Sequence, residues 1–273
     1  MNINKKVEHP LVSILIASFN HENYIEEALN SVLSDTYSNK EIIIIDDGSS
    51  DNSVDIIENW LRKYEEKINV TFKHRQNKGV CATANELLDM ANGQYILFLP
   101  SDDLLLNNTI AERVEILELN PSKLVLLSDA QVIDSEGNII YESMMSDFHK
   151  ADKNKYKTDE NIIDELIFRF SISGPVLFVN KKIYDIIGKY PVKLKAEDLY
   201  FYIRTSCLRK ILFWDKKVGS YRWHSKNVSN DNPELTKAIL YTYIKTLPRV
   251  PTFYRKLKLL KRMIGIVYIN IRN

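Results

Sequence analysis

Residues 12–50 read VSILIASFNHENYIEEALNSVLSDTYSNKEIIIIDDGSS and contain two short apolar runs on either side of a helical pattern. The runs at 12–17 and 41–45 are rich in β-branched residues, which is typical of strands buried on both faces of a sheet. Between them, residues 24–33 place their apolar side chains on one helix face. A strand, a helix and a second strand in this order predict a parallel sheet covered by helices on both faces.

The same alternation continues along the chain. Further strands are expected at 70–74, 95–99 and 124–127, and further helices at 51–64, 80–91 and 110–119. Residues 134–137, DSEG, predict the turn of a hairpin, and the polar stretch 146–160 predicts a loop. We therefore expect an α/β fold with a mostly parallel central sheet flanked by helices, and a less regular second half.

Composition narrows the class of protein. The chain has 273 residues, of which 45% are apolar and 27% charged, as in an ordinary globular protein. Its two cysteines, Cys81 and Cys207, are far apart in sequence, which excludes a disulfide framework and a CxxC zinc site and fits a reducing compartment. No apolar run approaches the ~20 residues of a membrane-spanning helix, and the N-terminus has no signal-peptide core.

Candidate ligand-binding residues follow each of the first four predicted strands. They are Ser18, Phe19 and Asn20, then Asp46 and Asp47, then Asn77 and Gly79, and finally Ser101, Asp102 and Asp103. Ligands of parallel α/β sheets bind beyond the carboxyl ends of the strands, so we expect these residues to share one crevice. Two acidic pairs repel each other unless a cation lies between them, and oxygen ligands favour Mg²⁺ or Mn²⁺. Such an ion usually keeps a substrate phosphate, which indicates a nucleotide diphosphate.

Other interpretations of these motifs compete with a binding site. The Asp-Gly-Ser-Ser-Asp run starting at Asp47 is good turn and helix-cap chemistry, and Ser101 to Asp103 can also cap a helix. Several enzyme classes are excluded, since the chain has no GxGxxG after its first strand and no GxxxxGK[ST], GxSxG or HExxH motif.

The strand-end motifs resemble those of the inverting glycosyltransferases of family 2, which have the GT-A fold. The likeness is carried by VSILIASFNHENYIEEALNSVL, EIIIIDDGSSDNS, NKGV and GQYILFLPSDD in that order, and covers residues 10–225. The resemblance implies that Phe19 stacks on the nucleotide base and that Asp47 contacts it. Asp102 and Asp103 then bind the ribose and the metal, respectively. The remaining nucleotide-sugar-binding residues are expected to be Ser18, Asn20, Asn77 and Gly79.

One position departs from the family pattern. Many members read Asp-Ser-Asp-Asp at the metal motif, whereas this chain has Pro100-Ser101-Asp102-Asp103. The first carboxylate is missing. Because the last aspartate is the usual metal ligand, we expect metal binding to persist.

The second half of the chain resembles the same family. Gly174 and Pro175 match its acceptor-side segment, and Glu197 and Asp198 match its Glu-Asp motif. The resemblance implies that Asp198 is the catalytic base, which takes the proton of the acceptor hydroxyl while the nucleotide diphosphate leaves from the opposite face. The competing interpretation of the two carboxylates is helix capping.

The end of the catalytic region is expected near residue 230. His224, followed by Asn-Val-Ser at 227–229, resembles the family's last motif and is expected to help hold metal or diphosphate, with structural packing as the alternative. We predict a GT-A domain over 1–230 and a basic helical tail over 231–273. Within the domain, about 10–105 is the nucleotide-sugar half and 106–230 the acceptor and catalytic half.

The tail has no acidic residue after Leu235 but nine lysines and arginines. Within 253–271, apolar residues recur every three or four positions along one helix face. This pattern predicts a helix lying in a membrane interface. The alternatives are packing on the chain's own domain or on a second subunit. A nucleic-acid partner is not expected, because no recognition motif is present.

These patterns together predict a metal-dependent glycosyltransferase that uses a nucleotide diphosphate-sugar donor and Mg²⁺ or Mn²⁺. We expect a glycan acceptor, lipid-linked, in bacterial surface polysaccharide synthesis, and a cytoplasmic location at the inner face of the cell membrane. Two rival hypotheses are a nucleotidyltransferase, which requires a glycine-rich basic loop after the first strand, and a non-catalytic nucleotide- or glycan-binding module, which Pro100 favours.

Overall fold

The computed structural model of the protein describes residues 9–64, 66–194, 196–224 and 233–272. The strands are β1 (Val12–Ser18), β2 (Lys40–Asp46), β3 (Asn69–His74), β4 (Tyr95–Phe98), β5 (Leu104–Leu105), β6 (Val125–Ile133), β7 (Ile139–Tyr141), β8 (Leu177–Asn180) and β9 (Ile211–Arg222). The helices are α1 (Ile25–Ser34), α2 (Ser53–Tyr64), α3 (Val80–Met90), α4 (Thr109–Leu119), α5 (Asp159–Phe168), α6 (Ile183–Ile187), α7 (Glu197–Cys207), α8 (Pro233–Thr246) and α9 (Phe253–Arg272).

Four consecutive isoleucines in β2 explain why helices cover both faces of the sheet. Ile42 and Ile44 belong to the core beneath α1, α2 and α4, whereas Ile43 and Ile45 belong to the core beneath α3. Successive side chains of a strand point to opposite faces, so an unbroken apolar run requires two cores. The predicted α/β class is confirmed.

The described strands form a single nine-stranded sheet in the order β3-β2-β1-β4-β8-β6-β9-β5, with β7 paired to β6. Strands β1 to β4 pair in parallel. Beyond β4 the sheet is mixed, because β8 runs antiparallel to both β4 and β6 while β6 and β9 are parallel. The short strand β5 pairs antiparallel with β9, Leu104 opposite Ser220. This last pairing brings the residues just before β5 to the end of β9.

The structure agrees with the turn predicted in the middle of the chain and differs in part from the predicted loop. The predicted turn at 134–137 joins β6 and β7, with the Gly137 amide donating to the Asp134 carbonyl. The predicted loop at 146–160 was wrong in part, since a π-helical turn (Met144–Phe148) and a 3₁₀ turn (Lys153–Tyr156) occupy it. The first of these is anchored by the buried Met144 just before the polar stretch.

The tail packs on the rest of the protein through one side of α8 and α9. Tyr243 and Leu259 lie in an apolar cluster with residues of α5 and α7. Arg255 is buried and forms ion pairs with Asp164 at 2.8 Å and Glu160 at 2.7 Å. The boundary predicted at 230 falls within the stretch 225–232, outside the described residues, and stays a prediction.

The outward face of α9 is apolar. Its exposed large side chains are Phe253, Tyr254, Leu257, Leu260, Ile264, Val267 and Tyr268. The predicted stripe therefore faces away from the domain wherever its side chains are described, and packing of this stripe on the chain's own domain is not observed there. No helix in the described ranges has an apolar stretch long enough to cross a bilayer.

Candidate functional site

The carboxyl ends of β1 and β2 are joined by hydrogen bonds among the predicted site residues. Asp46 is fully buried and accepts from the amides of Gly48 and Ser49 and from the Ser18 hydroxyl. Ser18 is itself buried, so its hydroxyl serves this loop. Asn20, at a φ of 55°, accepts the Ser50 amide through its side chain at 2.8 Å. Asp46 therefore stabilises the turn after β2, as the turn and helix-cap interpretation of this motif predicts.

Asp47 connects the end of β2 to the start of α3. Its carboxylate accepts the amides of Lys78 at 2.8 Å and Gly79 at 2.9 Å and pairs with Arg75. Gly79 has a φ of 86°, which glycine adopts without strain. The loop containing Asn77 is held by these bonds, while Asn77 itself is exposed.

Phe19 lies at the same edge of the sheet with 45% of its surface exposed. An apolar ring of this size is normally buried, and here its exposed surface is available for stacking. The structure therefore leaves Phe19 in a state compatible with the predicted contact to a base.

Three side chains from distant segments form a compact cluster that could hold a metal ion. Nitrogen and oxygen ligand atoms of His21, Asp102 and His224 all lie within 4.8 Å of one another. Asp102 Oδ2 is 3.1 Å from His224 Nε2 and 3.8 Å from His21 Nε2. His21 Nδ1 lies 2.7 Å from Ser101 Oγ. When Nδ1 donates to this hydroxyl, the Nε2 lone pair faces Asp102 and is available to a cation.

Asp103 is packed differently from Asp102. It is 1% exposed, and its Oδ1 accepts the Arg222 amide at 2.8 Å. Burial raises the pKa of its carboxyl well above the ordinary value, and the neighbouring charge of Asp102 raises it further. The structure therefore groups Asp102, rather than Asp103, with the two histidines. Sequence reasoning assigned the metal to Asp103 and the ribose to Asp102.

Gly174 packs directly against Asp103. A Cβ atom at this position would lie 3.0 Å from both Asp103 Oδ2 and the Tyr221 side chain, and the residue has a φ of 69°. Its successor Pro175 is buried, and a Cβ on Gly219 would meet the Pro175 ring at 2.4 Å. The predicted acceptor-side segment is thus fitted closely to the aspartate motif.

A cavity of about 290 Å³ unites the two halves of the predicted site. His21 and Asp102 line it from the first half of the chain, and Gly174, Glu197 and Asp198 line it from the second. Ser18, Phe19, Asn20, Asp47, Asn77, Gly79, Asp103, Pro175 and His224 do not line the cavity, although several lie beside it. Residues at the strand ends and the Glu-Asp motif therefore line the same cavity.

The two acidic residues at the start of α7 are electrostatically coupled. Burial, and then the charge of Asp198, raise the pKa of Glu197 to about 7. The pKa of Asp198 is also raised, because dense protein surrounds this carboxylate, even though it remains solvent-accessible at the cavity. Raised pKa values of this kind, in a coupled pair of carboxyls lining a cavity, are typical of groups that exchange protons with a ligand.

Two contributors to the site were absent from the sequence prediction. His21 stands one residue beyond the strand-end group, and the topological signal that selected Asn20 extends to it. Arg222 is fully buried and donates from its side chain to the Asp102 carbonyl at 2.9 Å and to Glu27 at 2.6 Å. No sequence pattern singled out this role. The motif at 227–229 lies outside the described residues.

Comparison with curated proteins gives relatives that cover most of this chain. It is 30% identical over 234 residues to an uncharacterized glycosyltransferase of Rickettsia conorii, a match that covers 84% of this chain and 37% of the relative. The chain thus spans little more than a third of that relative's length. It is 35% identical over 108 residues to the putative teichuronic acid biosynthesis glycosyltransferase TuaG of Bacillus subtilis, covering 40% of this chain and 42% of TuaG.

Two solved structures share the fold. S. aureus TarS in complex with UDP-GlcNAc superposes with a TM-score of 0.70 at 20% identity, covering 93% of this chain and 72% of the solved chain. The mannosyltransferase PcManGT from Pyrobaculum calidifontis, in complex with GDP-Man and Mn²⁺, gives a TM-score of 0.69 at 13% identity, covering 97% and 76%. The expected GT-A fold is confirmed by these likenesses.

The description "Glycosyl transferase family 2" belongs to a family model that matches residues 13–176. This segment runs from β1 to the buried turn after Gly174, and so includes His21 and Asp102 of the candidate metal cluster. Since the match covers more than half of the chain, this protein belongs to glycosyl transferase family 2.

Proposed function

We propose that this protein transfers a sugar from a nucleotide diphosphate-sugar donor to an acceptor hydroxyl, with inversion at the anomeric carbon. The observation that carries the proposal is one cavity lined both by His21 and Asp102 and by Asp198. With the donor diphosphate held near His21 and Asp102, the acceptor hydroxyl approaches the other face of the sugar from the side of Asp198. Attack from that face inverts the anomeric configuration.

Asp198 is proposed as the general base. It takes the proton of the acceptor hydroxyl while the acceptor oxygen bonds to the anomeric carbon and the bond to the diphosphate breaks. A raised pKa suits this role, because it makes the carboxylate a stronger base toward the acceptor hydroxyl. Glu197 lies beside it, and the two carboxyls titrate as a coupled pair.

A divalent cation fits the cluster of His21, Asp102 and His224. Mg²⁺ takes oxygen ligands almost exclusively, so two imidazoles favour Mn²⁺ of the two candidate ions. When bound, the cation supplies positive charge against the departing diphosphate. Ser101 orients His21 from behind, as outer partners of metal-binding histidines do. The ion bound in the PcManGT structure is also Mn²⁺.

The nucleotide is proposed to lie along the ends of β1 to β3. The exposed ring of Phe19 provides a stacking surface, and Asp47 holds the 77–79 loop beside it. Asn20, Ser18 and Asp103 support these loops from within. The TarS and PcManGT complexes contain UDP-GlcNAc and GDP-Man, which supports a nucleotide sugar as donor.

The acceptor is proposed to be a lipid-linked glycan of a bacterial surface polysaccharide, used at the inner face of the cell membrane. Similarity to TuaG, a putative teichuronic acid biosynthesis enzyme, supports the glycan class. The exposed apolar face of α9 supports membrane contact. The chain spans only part of the length of its relatives, so this proposal concerns the region present in this chain.

Two measurements test the proposal together. A thermal-shift panel of UDP, GDP, dTDP, CMP and their sugar conjugates, with and without Mn²⁺, should give a metal-dependent rise in Tm with one nucleotide. Asp198→Asn should retain that shift but lose about 10²- to 10⁴-fold in transfer rate. Donor binding without any transfer by the wild type, under every donor, would instead support the binding module that Pro100 favours.

A further inference from the structure

A second cavity, of about 550 Å³, is lined by sequence neighbours of residues that line the first. It is enclosed by the segment around the π-helical and 3₁₀ turns, by α5, and by the inner sides of α8 and α9. Neither the strand-end motifs nor the proposed donor site accounts for it.

The two cavities share structural elements. Residues 172–174 line the first cavity, and Phe170 and Ser171 just before them line the second. Likewise Asp198 lines the first and its neighbour Leu199 the second. The His149 ring, in the second cavity, lies 3.2 Å from the hydroxyl of Ser173 in the first. A molecule in the second cavity is therefore one residue away from the proposed base along α7.

Charge distinguishes the second cavity. Four basic side chains line it, with two acidic ones: Lys150, Lys155, Arg169, Arg262, Asp152 and Glu165. Glu165 is buried and paired with Arg169 through contacts including one of 2.9 Å, so this acid is neutralised. Within the described ranges, the ammonium groups of Lys150 and Lys155 form no ion pair or side-chain hydrogen bond. A cavity with surplus positive charge and unpaired ammoniums attracts oxyanions.

Lys150 is held in an unusual backbone conformation. Its φ is 57°, in the left-handed region that costs a lysine conformational energy. The neighbouring amides keep it there, since His149 donates to the Met144 carbonyl at 2.9 Å and Ala151 to the Met145 carbonyl at 2.8 Å. Strained backbone of this kind clusters at active sites and ligand clamps.

The remaining wall is apolar. Phe170, Leu199, Ile239 and Ile266 line it beneath the basic groups. An inorganic ion alone does not need such a surface, whereas an amphiphile with a charged head and a hydrocarbon part uses both.

We propose that the second cavity binds a phosphate group of the acceptor, with the apolar wall contacting the lipid to which that phosphate is attached. This inference depends on the proposed function for its acceptor role. Lys150 and Lys155 contact the phosphate oxygens, and the sugar to be extended reaches past residues 171–173 to Asp198. A phosphate carried within the glycan has the same head-group chemistry, and the test separates the two sources.

The test uses pyrophosphate, farnesyl diphosphate and farnesol in the presence of EDTA, which keeps a cation from recruiting diphosphate to the donor side. Both diphosphates should raise the Tm of the wild type, farnesyl diphosphate more so, and farnesol should not. Lys150→Gln/Lys155→Gln should weaken diphosphate binding about tenfold or more, since each lysine loses a charged hydrogen bond. Lys157→Gln is the matched control: this lysine bonds to Asn154 and does not line the cavity.

Each outcome has a distinct meaning. No diphosphate shift in the wild type, or an equal shift in the double variant, overturns the proposal. Equal shifts with pyrophosphate and farnesyl diphosphate, both lost in the double variant, support the phosphate site but assign it to a glycan phosphate. The Mn²⁺-dependent shift with nucleotide sugar should survive in the double variant. Its absence from the wild type contradicts the donor site and with it the acceptor role, independently of the diphosphate result.

Discussion

His224 Nε2 lies 3.1 Å from Asp102 Oδ2, although 122 residues separate them in the chain. The antiparallel pair of β5 and β9 explains this proximity, because Leu104 lies opposite Ser220 and the paired strands carry Asp102 and His224 at neighbouring ends. The aspartate motif thus immediately precedes β5, and His224 follows β9. Strand β9, from the second half of the chain, therefore brings His224 to the aspartate motif of the first half.

The first prediction asks which aspartate holds the cation. Asp102→Asn should abolish the Mn²⁺-dependent part of the nucleotide-sugar thermal shift and lower transfer about 100-fold or more, since it removes the only carboxylate of the described cluster. Asp103→Asn retains an oxygen for the Arg222 amide and should keep most of the Mn²⁺ dependence. The comparison is made with matched Mn²⁺ titrations of both variants. A larger loss of Mn²⁺ affinity in Asp103→Asn than in Asp102→Asn would favour the family pattern over the observed cluster.

The second prediction concerns pH. The pKa of Glu197 is raised to about 7 and that of Asp198 is raised as well. A carboxyl with a higher pKa in the folded than in the unfolded chain destabilises the fold once it is ionised. Stability should therefore fall as pH rises from about 4.5 through 7. Transfer should also rise with pH, because Asp198 must lose its proton to act as the base.

Glu197→Gln is the control for the prediction that stability falls and transfer rises with increasing pH. The variant removes one of the two coupled charges, so its Tm should depend less on pH between 5 and 8 than that of the wild type. The midpoint of its activity profile should stay in place, because burial, and not the charge of Glu197, raises the pKa of Asp198. Parallel pH profiles of Tm in wild type and variant would contradict the assignment of a raised pKa to Glu197.

The third prediction tests the contact between Gly174 and Asp103. Gly174→Ala and Gly188→Ala both place a methyl group at a positive φ, 69° and 70°, with a cost of about 1–3 kcal/mol. Only at Gly174 does the new Cβ meet neighbours, at 3.0 Å from Asp103 and Tyr221. Both variants should therefore lose stability in urea unfolding, but only Gly174→Ala should also lose donor binding. Equal donor affinity in the two variants would show that this contact does not position the aspartate motif.

The sequence predicted the first half of the fold well because local and tertiary preferences agree there. The isoleucines of β2 require burial on both faces, and the strand ends follow from the same pattern. The pairing of β5 with β9 was not predictable, since β5 is two residues long and has no pattern of its own. For that reason the approach of His224 to Asp102 depended on the family resemblance, and the inclusion of His21 was missed.

Charge on the tail was also only partly predictable. Sequence spacing separated an apolar stripe from the basic residues of α9, but could not say which basic residues face the protein. Arg255 is buried against Asp164, and Arg262 donates to the Phe168 carbonyl at 2.8 Å. Acidic and carbonyl partners on α5 decide this, and they are 91 and 94 residues away in sequence.

The last prediction tests what the outward face of α9 contacts. Leu257 and Ile264 are exposed on it, with the exposed Lys258 and Lys261 beside them. The protein should sediment with vesicles of phosphatidylcholine and phosphatidylglycerol and less with phosphatidylcholine alone. Leu257→Asp/Ile264→Asp should lower the bound fraction about tenfold or more, because two apolar side chains no longer enter the interface.

Leu119→Asp is the matched control for this experiment, since Leu119 is 73% exposed on α4, away from the tail. It should sediment as the wild type does, and all three proteins should have similar Tm values because none of these side chains is buried. A wild-type dimer in solution that the double substitution converts to a monomer would instead identify a second copy of the chain as the partner of α9. Unchanged vesicle binding in the double variant would contradict the membrane assignment, since no apolar contact from this face would then contribute to it.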